Sequence, residues 1–379
     1  MKKIQIILLI VLTGVVGCQS LDSSSWPKGM RGMADTFNAL VPYIYDDDRY
    51  SDPHNKKFIE PKLDDLLFYS SRLDKHIGRG LSGNDPLFDL GLKELKKSIG
   101  KAVDSYRVDS FEYSQNLLQS SINYCVKCHT RTYLGPSFAR WDNFSKPQGM
   151  KPVDLAKIYI ATREFEKSMD TLEDAIVKAR NKSEKMKALK LMVTVGLKNM
   201  NSSKDTGEYL KRVSSKEKDK NFKRLIQKWM GDLKSWEKLE SRSITESLFK
   251  IVSRSSNKDV NYVKNLSYTV VLHKNLMGVK SDEKRAKVYY SLGKIYSANR
   301  SMSFTALPDL YFESCIKKFP HSNIAKKCYY ALEMDMKRSY KLESGKLTPS
   351  GLDERLKKLK VLTEKLKVGV SPSFGREEL

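Results

Sequence analysis

The chain has 379 residues, with 69 lysines and arginines against 45 aspartates and glutamates, a formal net charge of +24 at pH 7. Hydrophobic side chains make up 40% of it, which is enough to bury cores in two or three domains and too much for a disordered chain. The charge is uneven: Cys18 to Lys146 holds 18 basic and 17 acidic residues, whereas Pro147 to Leu379 carries a net +21.

Residues 1–17 read as an export signal. Lys2 and Lys3 precede an apolar run from Ile4 to Val16 that is too short to span a bilayer. The run ends in Val15-Val16-Gly17-Cys18. This resembles a bacterial lipobox, in which a peptidase cuts before a cysteine that has received a diacylglycerol. Valine stands here where that pattern prefers Leu and Ala or Ser. The resemblance implies a lipid on Cys18 as the mature N-terminus, and such chains anchor a protein durably. Gln19 follows instead of Asp, which by analogy with enteric bacteria points to the outer membrane, facing the periplasm.

Four helices are expected between Trp26 and Tyr133. The first runs from about Pro27 to Tyr45, with Met30, Met33, Phe37, Leu40 and Ile44 at helical spacing and Pro42 in its last turn. A loop over Asp46-Asp47-Asp48 and Asp52-Pro53 follows. The second runs from about Pro61 to Ile77, and Gly78-Arg79-Gly80 stops it. The third begins near Asp85-Pro86. The fourth begins near Ser110 and carries Leu118, Ile122, Cys125 and His129 on one face.

That last helix contains Cys125-Val126-Lys127-Cys128-His129. Cys-x-x-Cys-His is the attachment signature of c-type haem: two thiols tether the macrocycle and the adjacent histidine becomes the proximal iron ligand. A thioredoxin-type dithiol needs a βαβ setting that is missing here. A structural zinc site needs four ligands, and no second Cys/His pair lies nearby in sequence. A motif late in the last of four helices resembles the cytochrome c-prime family over about residues 26–133. The resemblance implies a four-helix bundle holding one covalent haem c on Cys125, Cys128 and His129.

An up-down-up-down bundle with short loops puts the start of helix 1 and the end of helix 2 beside the haem. Three residues can therefore reach the distal face: Met33 or Met30 on helix 1, the position where the family places a Met or a blocking apolar group, and His76 at the end of helix 2. No sixth protein ligand is the remaining alternative. His54 falls at the far end, and His273 and His321 belong to the other half.

Residues 135–152 read as a linker with Pro136, Pro147, Gly149 and Pro152 among aromatics. Beyond it the pattern is helical throughout. Two segments resemble tetratricopeptide repeats. One carries Leu155, Ala156, Tyr159, Phe165, Leu172 and Ala175. The other carries Tyr289, Leu292, Gly293 and Tyr296, then Phe312, Cys315 and Pro320. The stretch from Lys182 to Lys280 is helical without a countable repeat. Of 5 cysteines, Cys315 and Cys328 remain, and an oxidising compartment lets them pair.

The expected fold class is all-α: a haem-bearing four-helix bundle at 18–134 and an α-solenoid of tetratricopeptide-like pairs at 153–379. The expected function is one-electron transfer by a lipid-anchored mono-haem cytochrome of the bacterial cell envelope, an electron carrier rather than an enzyme. Its basic half would dock an acidic or redox protein, and an exported address counts against nucleic acid. Two alternatives stand beside this. One is binding or sensing of nitric oxide or carbon monoxide at an open iron face. The other is an envelope assembly scaffold in which haem is accessory.

Overall fold

The computed structural model describes residues 25–73, 86–130, 150–236, 259–299, 307–339 and 352–364. These form 15 α-helices and no strand, so the fold class is all-α. The lipobox, the end of the second expected helix with His76, and residues 131–149, which include most of the expected linker at 135–152, lie outside the described residues.

The first group of helices is α1 (Ser25–Ile44), α2 (Asp47–Ser51), α3 (Pro53–Arg72), α4 (Pro86–Arg107) and α5 (Phe111–His129). α1 packs on α3, α3 on α4 and α4 on α5. Two boundaries differ from the sequence reading. The expected first loop holds the short α2, because the Asp46 carboxylate accepts the Arg49 N–H at 3.0 Å and caps it. α3 starts eight residues early, at Pro53. Asp52 accepts the His54 N–H at 2.9 Å, and Pro53 occupies the first helical turn. Pro61 therefore sits inside α3 and does not begin it.

Buried polar bonds hold α5 in register. Ser114 donates its hydroxyl proton to the Ala102 carbonyl at 2.7 Å, so the Tyr50 hydroxyl is the donor in its 2.8 Å bond to Ser114. Gln119 Nε2 donates to the Ile44 carbonyl at 2.7 Å. Leu40, Ile44, Leu63, Val103 and Leu118 fill the core between these helices.

The remaining helices are α6 (Pro152–Ala161), α7 (Phe165–Lys178), α8 (Lys182–Lys198), α9 (Ser203–Lys216), α10 (Lys220–Leu233), α11 (Tyr262–Gly278), α12 (Asp282–Ala298), α13 (Leu307–Lys318), α14 (Asn323–Ser339) and α15 (Leu352–Val361). Each packs on its neighbour in chain order. α12 and α13 approach closely at Gly293, where an added Cβ would come within 2.5 Å of the Phe312 ring. Cys315 and Cys328 are joined by a disulfide between α13 and α14. Closing so short a loop contributes on the order of 3 kcal/mol.

Adjacent cores share helices. Leu155 and Ile158 of α6 belong to the first core, while Ala156 and Ile160 of the same helix belong to the second. α11 bridges the second and third cores: Tyr262 and Leu266 face one, Val271 and Leu276 the other. None of the described helices is long and apolar enough to cross a membrane.

Candidate functional site

Cys125, Cys128 and His129 occupy the last two turns of α5. Cys125 and His129 lie four residues apart, hence on one side of the helix. Both line a cavity walled by Met33 and Phe37 of α1, Leu66 of α3, Leu95 and Ile99 of α4, Ile122 of α5, and Ile158, Ala161 and Thr162 at the end of α6. The lining is mostly apolar, with Asn38, Ser121 and Thr162 as its polar side chains beside His129. Cys128 lies against α4, its sulfur 3.8 Å from where a Cβ on Gly91 would stand.

Met33 and Met30 have different surroundings. Met33 is buried and lines the cavity with Cys125 and His129, whereas Met30 packs on the edge of the first core and is not part of the wall. His54 is 94% exposed and bonded to Asp52, away from the site. His273 bonds the Tyr296 hydroxyl at 2.9 Å, and His321 Nδ1 lies against the Glu364 carbonyl, both far along the chain.

Burial sets the protonation of the site. It pushes the Cys125 thiol up to about 12, and the neighbouring Cys128 adds to this. That is the opposite of a redox-active dithiol, whose attacking cysteine is held low. Burial also holds the His129 imidazole down to about 4. The Arg163 guanidinium pushes the same way, against the raising effect of the Ala161 and Ile160 backbone. His129 is 8% exposed, and its Nδ1 has no hydrogen-bond partner. A neutral imidazole is the form that ligates a metal, and here the ring also hydrogen-bonds to the Ala161 and Ile160 backbone.

The donor set therefore fits haem c: two thiols three residues apart, an adjacent imidazole and a thioether across an apolar cleft. The cavity is small, about 40 Å³. The lining side chains must part to admit a macrocycle. Among the described residues, no group of three or more His, Cys, Asp or Glu could hold a metal ion.

The sequence reading missed how much of the site comes from beyond the linker. Ile158, Ala161 and Thr162 close the cavity, Arg163 stands beside His129, and Asn199 at the end of α8 donates its Nδ2 proton to the His129 carbonyl. Val126, between the two cysteines, faces the second core. The only available signal was the apolar pattern of α6, which continues around the helix where one buried face was expected.

Comparison with protein-family models, with curated proteins and with solved structures finds no match to this chain.

Proposed function

We propose that this chain is a mono-haem c-type cytochrome that carries single electrons at the bacterial cell envelope. The observation that carries the reading is the shared apolar cavity of Cys125, His129 and Met33 at the end of α5. Haem c, when bound, supplies an iron couple that takes up and releases one electron. Cys125 and Cys128 are the thiols available for thioether formation. His129, held neutral by burial, is the proximal ligand. Met33 is the distal candidate. Phe37, Leu66, Leu95 and Ile99 exclude water and lower the local dielectric around the site.

In this reading α1, α3, α4 and α5 form the four-helix bundle of a c-prime-like cytochrome. The helices from α6 onward form an α-solenoid of tetratricopeptide-like pairs. The net charge of +21 on Pro147 to Leu379 suits an acidic or redox protein partner. A lipid on Cys18 holds the molecule at the membrane, in the outer membrane facing the periplasm.

The test is an absorption spectrum of the mature chain, expressed with a c-type maturation system and taken oxidised and reduced. The expected result is covalently bound haem with a low-spin spectrum and a Met–iron band. A high-spin spectrum would move the reading to diatomic gas binding at an open iron face. Colourless protein with two titratable thiols would leave only the scaffold reading.

A further inference from the structure

We propose that a cleft at one edge of the basic half, where α7 and α9 end and α8 begins, binds an acidic segment of a partner protein and seats one apolar side chain of that segment on its floor. This rests on the reading of the basic half as a docking domain and is independent of the haem.

The cleft exists because α7, α8 and α9 pack on one another and leave a hollow of about 350 Å³ between their ends. Its floor is apolar. Ile176 and Val213 rise from the second core, and Val177 beside them stays 41% exposed. Its rim is basic: Lys185 from the first turn of α8, Lys216 from the last turn of α9 and Lys218 from the turn that follows. Glu217 is the only carboxylate in this wall, and it is turned inward. Its side chain is 3% exposed, and it accepts from Lys185 Nζ and from the Lys218 and Asp219 N–H groups at 2.8 Å each. Lys216 Nζ is held at 2.8 Å by the buried Glu173. These pairs orient the ammonium groups without exhausting them, because lysine carries three N–H donors and each pair occupies one. Lys218 is exposed and, among the described residues, makes no ion pair. A carboxylate arriving from solvent therefore meets three cations, two of them held in place beforehand.

The floor decides the class of occupant. A free inorganic anion would bind the lysines and leave Val177 in water. A segment with acidic residues on both sides of an aliphatic one satisfies rim and floor together, the charges giving specificity and the apolar contact slowing departure.

The test measures binding of a labelled peptide, Glu-Asp-Leu-Asp-Glu, to the full mature chain at low salt. Lys185 and Lys216 are left alone, since each neutralises a buried carboxylate. Lys218→Glu should weaken binding about tenfold. Val177→Ser, which leaves every charge in place, should weaken it about fivefold. Lys264→Glu makes the same charge change on the exposed side of α11 and should stay within about twofold of wild type. A peptide with Ser for its Leu should bind about fivefold less tightly, and inorganic phosphate at the peptide's concentration should not displace it. Equal losses in Lys218→Glu and Lys264→Glu would overturn the site and reduce it to a general charge effect. Tight binding of the Ser peptide, or displacement by phosphate, would overturn it in favour of an anion site only. Polyglutamate separates the two levels: wild type that binds polyglutamate but not the peptide loses this cleft alone, whereas wild type that binds neither loses the docking reading as well.

Discussion

At the scale of single residues, the three contiguous chemical groups of the site could be read directly from the chain. Cys125, Cys128 and His129 are neighbours in sequence, and a helix leaves them little choice of arrangement. Arg163 and Asn199 lie 34 and 70 residues beyond His129 and carry no motif, so only packing brings them in. The depressed His129 pKa has a consequence in the haem-free chain. The unfolded imidazole takes up its proton near 6.5, the folded one only near 4. Between those values the unfolded state binds more protons, so stability falls as pH drops from about 6.5 to about 4. It changes no further below that range for this group. The total loss is about 3 kcal/mol. Urea midpoints of haem-free wild type and His129→Leu, compared at pH 7, 5.5 and 4, measure it; parallel curves would refute it. The haem-loaded chain tests the choice between the two methionines. Met33→Leu removes the thioether that lines the cavity and should convert a low-spin spectrum to high-spin. Met30→Leu should leave the spectrum unchanged. The reverse outcome would exchange their roles.

At the scale of elements, periodicity revealed that helices exist but not where they start. The second helix was expected from about Pro61, and a proline there would suit a first turn. Asp52-Pro53 suits one better, since it adds a capping carboxylate. The interior Pro61 costs less than usual because it and Lys57, whose carbonyl it leaves without a helical donor, both face solvent. Repeats were legible at Gly293 and illegible at Gly196. An added Cβ on Gly196 would collide with Thr206, so α8 and α9 meet as closely as α12 and α13 do. Thr206 is not the large aromatic that makes such a pairing recognisable. Two glycine substitutions separate packing from backbone entropy. Gly293→Ala drives a Cβ into the Phe312 ring and should cost about 1–3 kcal/mol. Gly231, in the last turn of α10, has nothing within 4 Å of an added Cβ. Gly231→Ala should stabilise by about 0.4–1 kcal/mol by restricting the unfolded chain. Denaturant unfolding of both variants reads the opposite signs, and equal effects would show that the close approach at Gly293 is not strained by a methyl group.

At the scale of the whole molecule, the sequence suggested two bodies joined by a linker, and the linker residues 135–149 lie outside the described residues. What could not be read is that α6 is a wall common to both. Its apolar residues were assigned to one repeat, because a sequence pattern shows that a face is buried and not against what. Met150, Leu155 and Ile158 complete the core around the cavity, while Ala156 and Ile160 turn the other way. α5 is divided in the same manner, with Cys125 and His129 toward the cavity and Val126 toward the second core. On the proposed haem reading, a fragment of residues 18–134 is therefore an incomplete site. It loses three apolar side chains that each contribute about 1.5–3 kcal/mol when fully buried. It also leaves Val126 in water and the His129 carbonyl without Asn199. A fragment of residues 18–236 keeps α6 to α10 and both of those contacts. Expressed side by side with c-type maturation, the longer fragment should hold covalent haem with the spectrum of the full chain. The shorter one should melt at markedly lower temperature or accumulate without haem. If residues 18–134 alone reproduced both the spectrum and the melting temperature, the shared wall would be mere contact, and the proposed site would belong to the first five helices only.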